Sequence, residues 1–363
     1  MPQQIGTRFE VRRIHGHPGS EEQDMTLVSV TAAQRMTVPA LPPGLGRAVD
    51  DWAEDLDRTI RSGKGMRSAL FESVYSACGG SDGAVRSGVS EALELLHEAL
   101  LVHDDLADGD EQRRGRLNLQ GRTRARALEQ GTPEATASHL GMVGGLLGGD
   151  LLLVRAMGGF ARLPVPAPVL HRALEEVESA VTDSIAGEWA DVHGAAEATP
   201  ADRDRALAIG AAKTAAYSVT LPLVLGAILA DGPAELVEAL RGVGRHLGTA
   251  YQVIDDVLGV FGDPTVTGKS IDGDLIRRAP TVLLAFAATT DLWPRIDAAL
   301  DPADPDPAAA RDLMRRSGAH EHALGLAEAL VTAARAALDS PAVPHAVRTG
   351  LDAHLDTALE RTR

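Results

Sequence analysis

The chain has a single cysteine, Cys78, among its 363 residues. One cysteine cannot form an internal disulfide and offers no thiolate cluster for zinc or an iron–sulfur centre, so packing alone must stabilise the fold. Such cysteine usage is typical of a reducing compartment. The sequence therefore predicts a cytoplasmic protein.

Aromatic residues and net positive charge are also scarce. Aromatics make up 3% of the chain. There are 51 acidic and 35 basic residues, which gives a formal net charge of −16. The excess of acid opposes binding to a phosphate backbone, and few aromatics are left to stack on bases, so no nucleic-acid partner is expected. There is no uninterrupted apolar run of about 18 residues and no secretion signal, so no transmembrane segment is expected.

What the chain has in abundance is helical periodicity. From Gly44 onward, apolar residues recur at three- and four-residue spacings. The predicted helices span 45–61, 66–79, 85–107, 134–162, 167–192, 202–230 and 233–260, followed by shorter ones near 281–299, 307–317, 320–338 and 344–361. Longer polar loops are expected around 109–132 and 262–280.

The stretches 141–154 and 219–230 contain little but Leu, Val, Ala and Gly. A helix that is apolar all round must be surrounded by other helices. Short connections also favour antiparallel neighbours. The sequence therefore predicts an all-α fold, a large single-domain antiparallel bundle with buried central helices, over residues 43–363. Residues 1–42 lack a sustained period and are expected to form a flexible extension.

Two acidic pairs close long apolar helices. The first lies in His103-Asp104-Asp105-Leu106-Ala107-Asp108, and the second ends the run Gln252-Val253-Ile254-Asp255-Asp256. Asp104 and Asp108 share a helix face, so their repulsion predicts a cation between them. Facing one another, the two helix ends would form an oxygen-rich site suited to Mg²⁺. The alternative is a solvated acidic helix end, which the helix dipole disfavours.

Basic residues occur where a diphosphate would need them. Lys64 and Arg67 open an early helix, Arg113-Arg114 follow the first acidic motif, and Lys213-Thr214 interrupt an apolar stretch. A lysine within an apolar helix is costly without an anionic partner. That partner is either a phosphate, which we favour for Lys213, or a carboxylate in a structural salt bridge.

In order and spacing, these motifs resemble those of the trans-isoprenyl diphosphate synthases, the family of farnesyl and geranylgeranyl diphosphate synthases. The likeness covers about residues 60 to 285. Its elements are Gly63-Lys64-x-x-Arg67, Asp104-Asp105-x-x-Asp108-x-x-x-x-Arg113-Arg114-Gly115, Gly149-Asp150-x-Leu152, Lys213-Thr214, Gln252-x-x-Asp255-Asp256, Gly262-Asp263 and Gly268-Lys269.

The resemblance implies a Mg²⁺-dependent prenyltransferase that condenses isopentenyl diphosphate with an allylic diphosphate, acting as a homodimer. Three Mg²⁺ ions would be held by Asp104, Asp108 and Asp255. The allylic diphosphate would lie against Arg113, Lys213 and Lys269, with Thr214 and Gln252 beside it in the catalytic set. Isopentenyl diphosphate would be bound by Lys64, Arg67, His97 and Arg114.

Product length in this family depends on the helix that carries the first acidic motif. Members that stop at fifteen carbons usually place an aromatic ring four or five residues before its first aspartate. The corresponding positions here are Leu100 and Ala99. Neither is aromatic, so the resemblance implies a longer product, with twenty-carbon geranylgeranyl diphosphate as the first choice.

The chain departs from the family pattern at several positions. Gly259 replaces the last aspartate of the second acidic motif, and Glu188 stands where a glutamine is common. Gly65 replaces an arginine beside Lys64. Ala279 occupies the place of a frequent lysine, and its methyl group cannot bind an anion, although Arg277 or Arg278 could.

Two other functions remain open on the same fold. Class I terpene cyclases share the first acidic motif with this chain. They resemble one another in a second metal-binding motif, which contains asparagine. The only asparagine in this chain is Asn118, beside the first motif. A non-catalytic partner subunit of a prenyl synthase should have lost its acids, whereas both acidic pairs are present.

Overall fold

The protein is described by a computed structural model over residues 41–60, 65–113, 115–197, 199–263 and 272–360. Helices form most of this part of the chain. They are α1 (Arg47–Ile60), α2 (Met66–Ala77), α3 (Gly83–Asp108), α4 (Leu119–Glu129), α5 (Glu134–Ala161), α6 (Ala167–Ala195), α7 (Arg203–Gly210), a π-helix (Ala211–Thr220), α8 (Leu221–Leu229), α9 (Ala234–Phe261), α10 (Gly273–Ile276), α11 (Val282–Ala287), α12 (Trp293–Ala299), α13 (Pro307–Arg316), α14 (Ala319–Leu338) and α15 (His345–Glu360). The predicted all-α class is confirmed.

One predicted loop, 109–132, contains regular structure. Strands β1 (Gln112–Arg113) and β2 (Arg116–Leu117) pair antiparallel, and α4 follows them directly. The Asn118 side chain begins α4 by accepting a hydrogen bond from the Gly121 N–H at 2.9 Å. This N-cap satisfies a backbone donor at the helix start. The prediction of a loop was wrong here because α4 is short and polar, so its apolar periodicity is weak.

The predicted single helix over 202–230 is three consecutive segments: α7, the π-helix and α8. Pro222 lies in the first turn of α8 and has no N–H to donate, which prevents a regular α-helix through that point. The helix predicted over 281–299 is likewise two helices, and Pro294 lies in the first turn of the second. In both cases the apolar spacing continues across the break.

The core is a large cluster around α8 with a second cluster around the end of α9 and the helices that follow it. All nine residues of α8 are buried, which confirms the prediction of a central helix. The same prediction was wrong for α5. Its exposed side chains include Leu140, Leu147 and Val154, whereas its glycines face α3 and α4.

Two described helical segments, Glu134–Ala161 and Arg203–Leu229, are long and apolar enough to cross a membrane by length and composition alone. Of the most apolar stretch in each, 33% is buried inside the protein for the first and 78% for the second. The second is therefore a core segment of a helical bundle. These two segments do not establish a membrane protein.

Glycine allows α6 to approach the π-helix closely. A Cβ atom on Gly187 would lie 2.7 Å from the Lys213 Cα. Atoms cannot approach that closely, and neither backbone can yield without shifting a helix. Gly187 therefore sets the position of Lys213 relative to the acidic residues of α6.

We predict that Gly187→Ala lowers the free energy of unfolding by about 2 kcal/mol or more, because the added methyl group forces two helices apart. The matched control is Gly325→Ala on α14, where a Cβ atom would meet nothing within 4 Å. That change should raise stability by about 0.5–1 kcal/mol. Urea denaturation of both variants checks this, and equal stabilities would contradict it.

Candidate active site

An open cavity of about 1640 Å³ lies where α3, α6, the π-helix and α9 meet, with the segment around α10 along one wall. It gathers most of the residues that the sequence patterns single out. Those lining it are Arg67, His97, Leu100, Asp104, Asp108, Arg113, Lys213, Thr214, Gln252 and Asp255. Ala99 instead lies fully buried in the core. Lys64, Arg114 and Lys269 lie outside the described residues.

The first acidic motif occupies the C-terminal end of α3. Gly109 stops the helix with a φ of 70°, a left-handed conformation that favours glycine. Arg113, on the hairpin that follows, folds back and donates to Asp104 at 2.6 Å and to Asp105 at 2.8 Å. Burial opposes the charge on Arg113, but these two carboxylates outweigh it and raise the pKa of the guanidinium above its ordinary value.

Lys213 projects from the π-helix into a group of acids. Its Nζ lies 2.7 Å from Asp191, 3.0 Å from Glu188 and 3.0 Å from Asp104. Burial alone would lower the pKa of Lys213, but the three carboxylates raise it well above its ordinary value. The lysine is therefore charged, and its partners here are carboxylates from α3 and α6.

The Asp108 side chain is largely enclosed, with 5% of it exposed. Burial, together with the nearby Asp104, raises its pKa to about 7, against the opposing effects of Arg277 and Lys213. The Arg277 guanidinium makes an ion pair with Asp108. Cations therefore lie beside both carboxylates: Arg113 and Lys213 beside Asp104, and Arg277 beside Asp108.

The second acidic pair lies near the end of α9. Asp255 is exposed toward the cavity. Asp256 accepts a hydrogen bond from the Gln252 amide at 2.7 Å. Burial raises the pKa of Asp256 well above its ordinary value despite that bond. Gln252 is therefore held in place by the residue four positions later on the same helix.

A candidate metal site lies between α3 and α6. Oxygen atoms of Asp108, Glu188 and Asp191 all lie within 4.8 Å of one another. Carboxylate oxygens are the donors that Mg²⁺ prefers. Glu188 and Asp191 are absent from the predicted metal ligands, because two acids three residues apart on a helix are common on protein surfaces. Only the packing of α6 against α3 places them beside Asp108.

A second cluster lines the same cavity and is formed by Arg67, His97 and Tyr217. The Arg67 Nη2 donates to the Ser218 hydroxyl at 2.7 Å, and its guanidinium lies 5.3 Å from the centre of the Tyr217 ring. The Tyr217 hydroxyl is 3.2 Å from the Nδ1 of His97. Burial raises the pKa of Tyr217, so the phenol is neutral.

The Nε of Arg67 is buried and has no hydrogen-bond partner among the described residues. An unsatisfied buried donor on a charged group is costly, and an anion would satisfy it. The sequence patterns do not single out Tyr217, although its position four residues after Lys213 on one helical segment is a signal that could have identified it.

Comparisons with known proteins show the family to which the chain is similar. Residues 51–310 match the family model for polyprenyl synthetase. The chain is 33% identical over 296 residues to geranylgeranyl diphosphate synthase from Mycobacterium tuberculosis, covering 79% of this chain and 77% of the relative. It is 32% identical over 259 residues to (2E,6E)-farnesyl diphosphate synthase from Mycobacterium bovis, covering 70% of this chain and 66% of the relative.

A solved structure supports the same relationship. The crystal structure of geranylgeranyl pyrophosphate synthase from Corynebacterium glutamicum, complexed with isoprenyl diphosphate and magnesium, superposes with a TM-score of 0.79 at 29% identity. The match covers 87% of this chain and 92% of that one. The chain therefore belongs to the polyprenyl synthetase family and is a trans-prenyltransferase.

Proposed function

We propose that the protein joins isopentenyl diphosphate to an allylic diphosphate in a Mg²⁺-dependent reaction, with geranylgeranyl diphosphate as the main product. The observation that carries this proposal is a single cavity lined by both acidic helix ends and by the cations Arg67, Arg113, Lys213 and Arg277. The relatives are diphosphate synthases, which favours this reaction over a terpene cyclase or a non-catalytic subunit. We expect the reaction to take place in the cytoplasm.

The residues present fit a site for Mg²⁺. The acids offer only oxygen donors, and three of them are already close enough to share one ion. We assign metal binding to Asp104 and Asp108 on α3 and to Asp255 on α9, with Glu188 and Asp191 as additional candidates. Bound Mg²⁺ would neutralise the negative charge of the departing diphosphate.

The protein's own residues would position the two substrates. Arg113 and Lys213 would turn from carboxylates to phosphate oxygens of the allylic substrate, with Thr214 and Gln252 beside them. The carbon–oxygen bond to the diphosphate breaks, and the isopentenyl double bond attacks the resulting allylic cation. A proton then leaves the new chain, and the released pyrophosphate is its acceptor. Because the isopentenyl double bond is itself the nucleophile, the protein needs no nucleophilic side chain and would supply positioning and charge stabilisation.

We assign isopentenyl diphosphate to the cluster of Arg67, His97 and Tyr217. The buried, unpartnered Nε of Arg67 supports an anion at this position. Lys64, Arg114 and Lys269 remain expected contributors by family resemblance: the first two on the isopentenyl side and the third on the allylic side.

A homodimer is the expected assembly. The side of α5 that bears Leu147 is exposed, as is Trp189 on α6, at 52% and 68%. Apolar patches of this kind mark interaction surfaces. Trp189 also lines the cavity, so a second copy that packed against Trp189 would lie beside the site. Sedimentation velocity should give the mass of two chains, and a monomer at working concentrations would contradict this assignment.

The product length depends on the apolar wall of the cavity. Leu100 lines that wall, whereas Ala99 packs into the core on another face of α3. Leu100 is therefore the better candidate for the residue that limits chain growth. An aliphatic side chain at this position supports a twenty-carbon product, although the similar relatives include synthases of both the twenty-carbon and the fifteen-carbon compound.

We predict that purified protein with Mg²⁺, isopentenyl diphosphate and each short allylic diphosphate yields mainly geranylgeranyl diphosphate by mass spectrometry.

Asp104→Asn and Asp255→Asn should each lower kcat by at least about a hundredfold, because each removes a ligand that supports the leaving diphosphate. Circular dichroism should show both variants folded. Near-normal turnover of either variant at limiting Mg²⁺ would make its metal assignment wrong.

The two substrate sites can be separated by calorimetric titration. Arg67→Gln should weaken isopentenyl diphosphate binding by about 10- to 100-fold, since it removes a charge-assisted contact. Lys213→Gln should weaken binding of geranyl diphosphate with Mg²⁺ by a similar factor and leave isopentenyl diphosphate nearly unaffected. The reverse pattern would exchange the two assignments.

We predict that Leu100→Phe shifts the product toward farnesyl diphosphate, because the ring would shorten the apolar part of the cavity. The control is Leu100→Met, which nearly conserves volume and should leave the product mixture unchanged. Both variants should still catalyse the first condensation of isopentenyl diphosphate with the allylic diphosphate. An unchanged product ratio in Leu100→Phe at comparable turnover would mean that the chain does not grow along this face of α3.

A further inference from the structure

The wall of the cavity formed by the segment around α10 has an alanine where the related family often has a lysine. Ala279 lines the cavity and is 4% exposed. Its methyl group cannot bind a phosphate. Two arginines precede it, and both are long enough to supply the charge that it lacks.

The two arginines point in different directions. Arg277 lines the cavity, where its guanidinium pairs with Asp108 and, at 2.9 Å, with Asp274. Arg278 is not among the residues that line the cavity. Its guanidinium pairs with Asp297 and lies 5.8 Å from the centre of the Trp293 ring. Only Arg277 therefore presents its charge to the site.

A second departure makes room for this arrangement. A Cβ atom on Gly259 would lie 2.5 Å from the Oδ2 of Asp274. The Asp274 carboxylate thus occupies space that a side chain at 259 would need, and it holds Arg277 at its other oxygen. The absence of a side chain at 259 therefore leaves room for the carboxylate that holds Arg277.

We propose that Arg277 is a diphosphate-binding residue that replaces the missing lysine on this wall, an inference that rests on the proposed function. A guanidinium presents paired N–H donors that match two oxygens of a phosphate. In the described structure these donors are paired with Asp108 and Asp274. Once Asp108 binds a divalent cation, its hold on the guanidinium weakens, and Arg277 is free to turn to the phosphate oxygens of the allylic substrate while Asp274 keeps it at the site.

The test compares Arg277→Gln with Arg278→Gln in the full-length protein. Titration with inorganic pyrophosphate in the presence of Mg²⁺ should show binding weakened by about 10- to 100-fold in the first variant and changed by less than about twofold in the second. Arg277→Lys should recover part of the loss. Isopentenyl diphosphate without metal should bind both variants like the wild type.

Titration with Mn²⁺ alone separates phosphate binding from a structural role. Arg277→Gln removes a cation that competes for Asp108, so it should bind Mn²⁺ at least as tightly as the wild type. Weaker Mn²⁺ binding than in the wild type would instead indicate that Arg277 acts by holding Asp108 in place for the metal, and would overturn the inference.

Two further outcomes are informative. Unchanged pyrophosphate binding in Arg277→Gln, with normal binding by the wild type, would overturn the inference and leave the proposed function intact. Failure of the wild type itself to bind pyrophosphate with Mg²⁺ would overturn both.

Discussion

Repulsion among half-buried carboxylates is the constraint on which this site depends. Acids from α3, α6 and α9 meet in one cavity, and water screens them poorly there. Burial raises the pKa values of Asp108, Glu188 and Asp256, which shows the cost of keeping these groups charged. Arg113, Lys213 and Arg277 offset that cost by pairing with five of the surrounding acids, Asp104, Asp105, Asp108, Glu188 and Asp191, and with Asp274.

Under the proposed function, the same pairing would prepare the site for its substrates. A divalent cation competes with the three basic side chains for the carboxylates, and a diphosphate competes with the carboxylates for the basic side chains. Binding both together exchanges one set of ion pairs for another, so few charges are left without a partner. Under the proposed function, this exchange would allow a chain with a net charge of −16 to accommodate two anionic substrates.

Close helix packing delivers these charges to one place. Gly187 lets α6 approach the backbone of the π-helix, and Lys213 projects from that contact. The π-helix also carries Tyr217, which joins Arg67 to His97. Widened helical turns of this kind are frequent at functional sites because they change the direction of side chains without ending the helix. Replacing Gly187 would therefore disturb the position of Lys213 in the site as well as the stability of the fold.

The sequence alone determined the helical class, most helix boundaries and the two acidic motifs. These features depend on spacings of three and four residues, which backbone geometry translates directly into a shared helix face. The positions of Asp104 and Asp108 follow from this local rule, as does the expectation of cations beside them. The burial of α8 was also predictable, because it is apolar on every side.

Only the tertiary structure decided which groups meet. Arg277 and Asp108 are 169 residues apart in the chain, and Arg67 and Ser218 are 151 apart. No local period links such residues, so the choice between Arg277 and Arg278 and the carboxylate partners of Lys213 depend on how the helices pack. The exposure of one side of α5 could not be predicted from the sequence for the same reason. Its glycines pack closely against α3 and α4, and this packing turns its leucines outward.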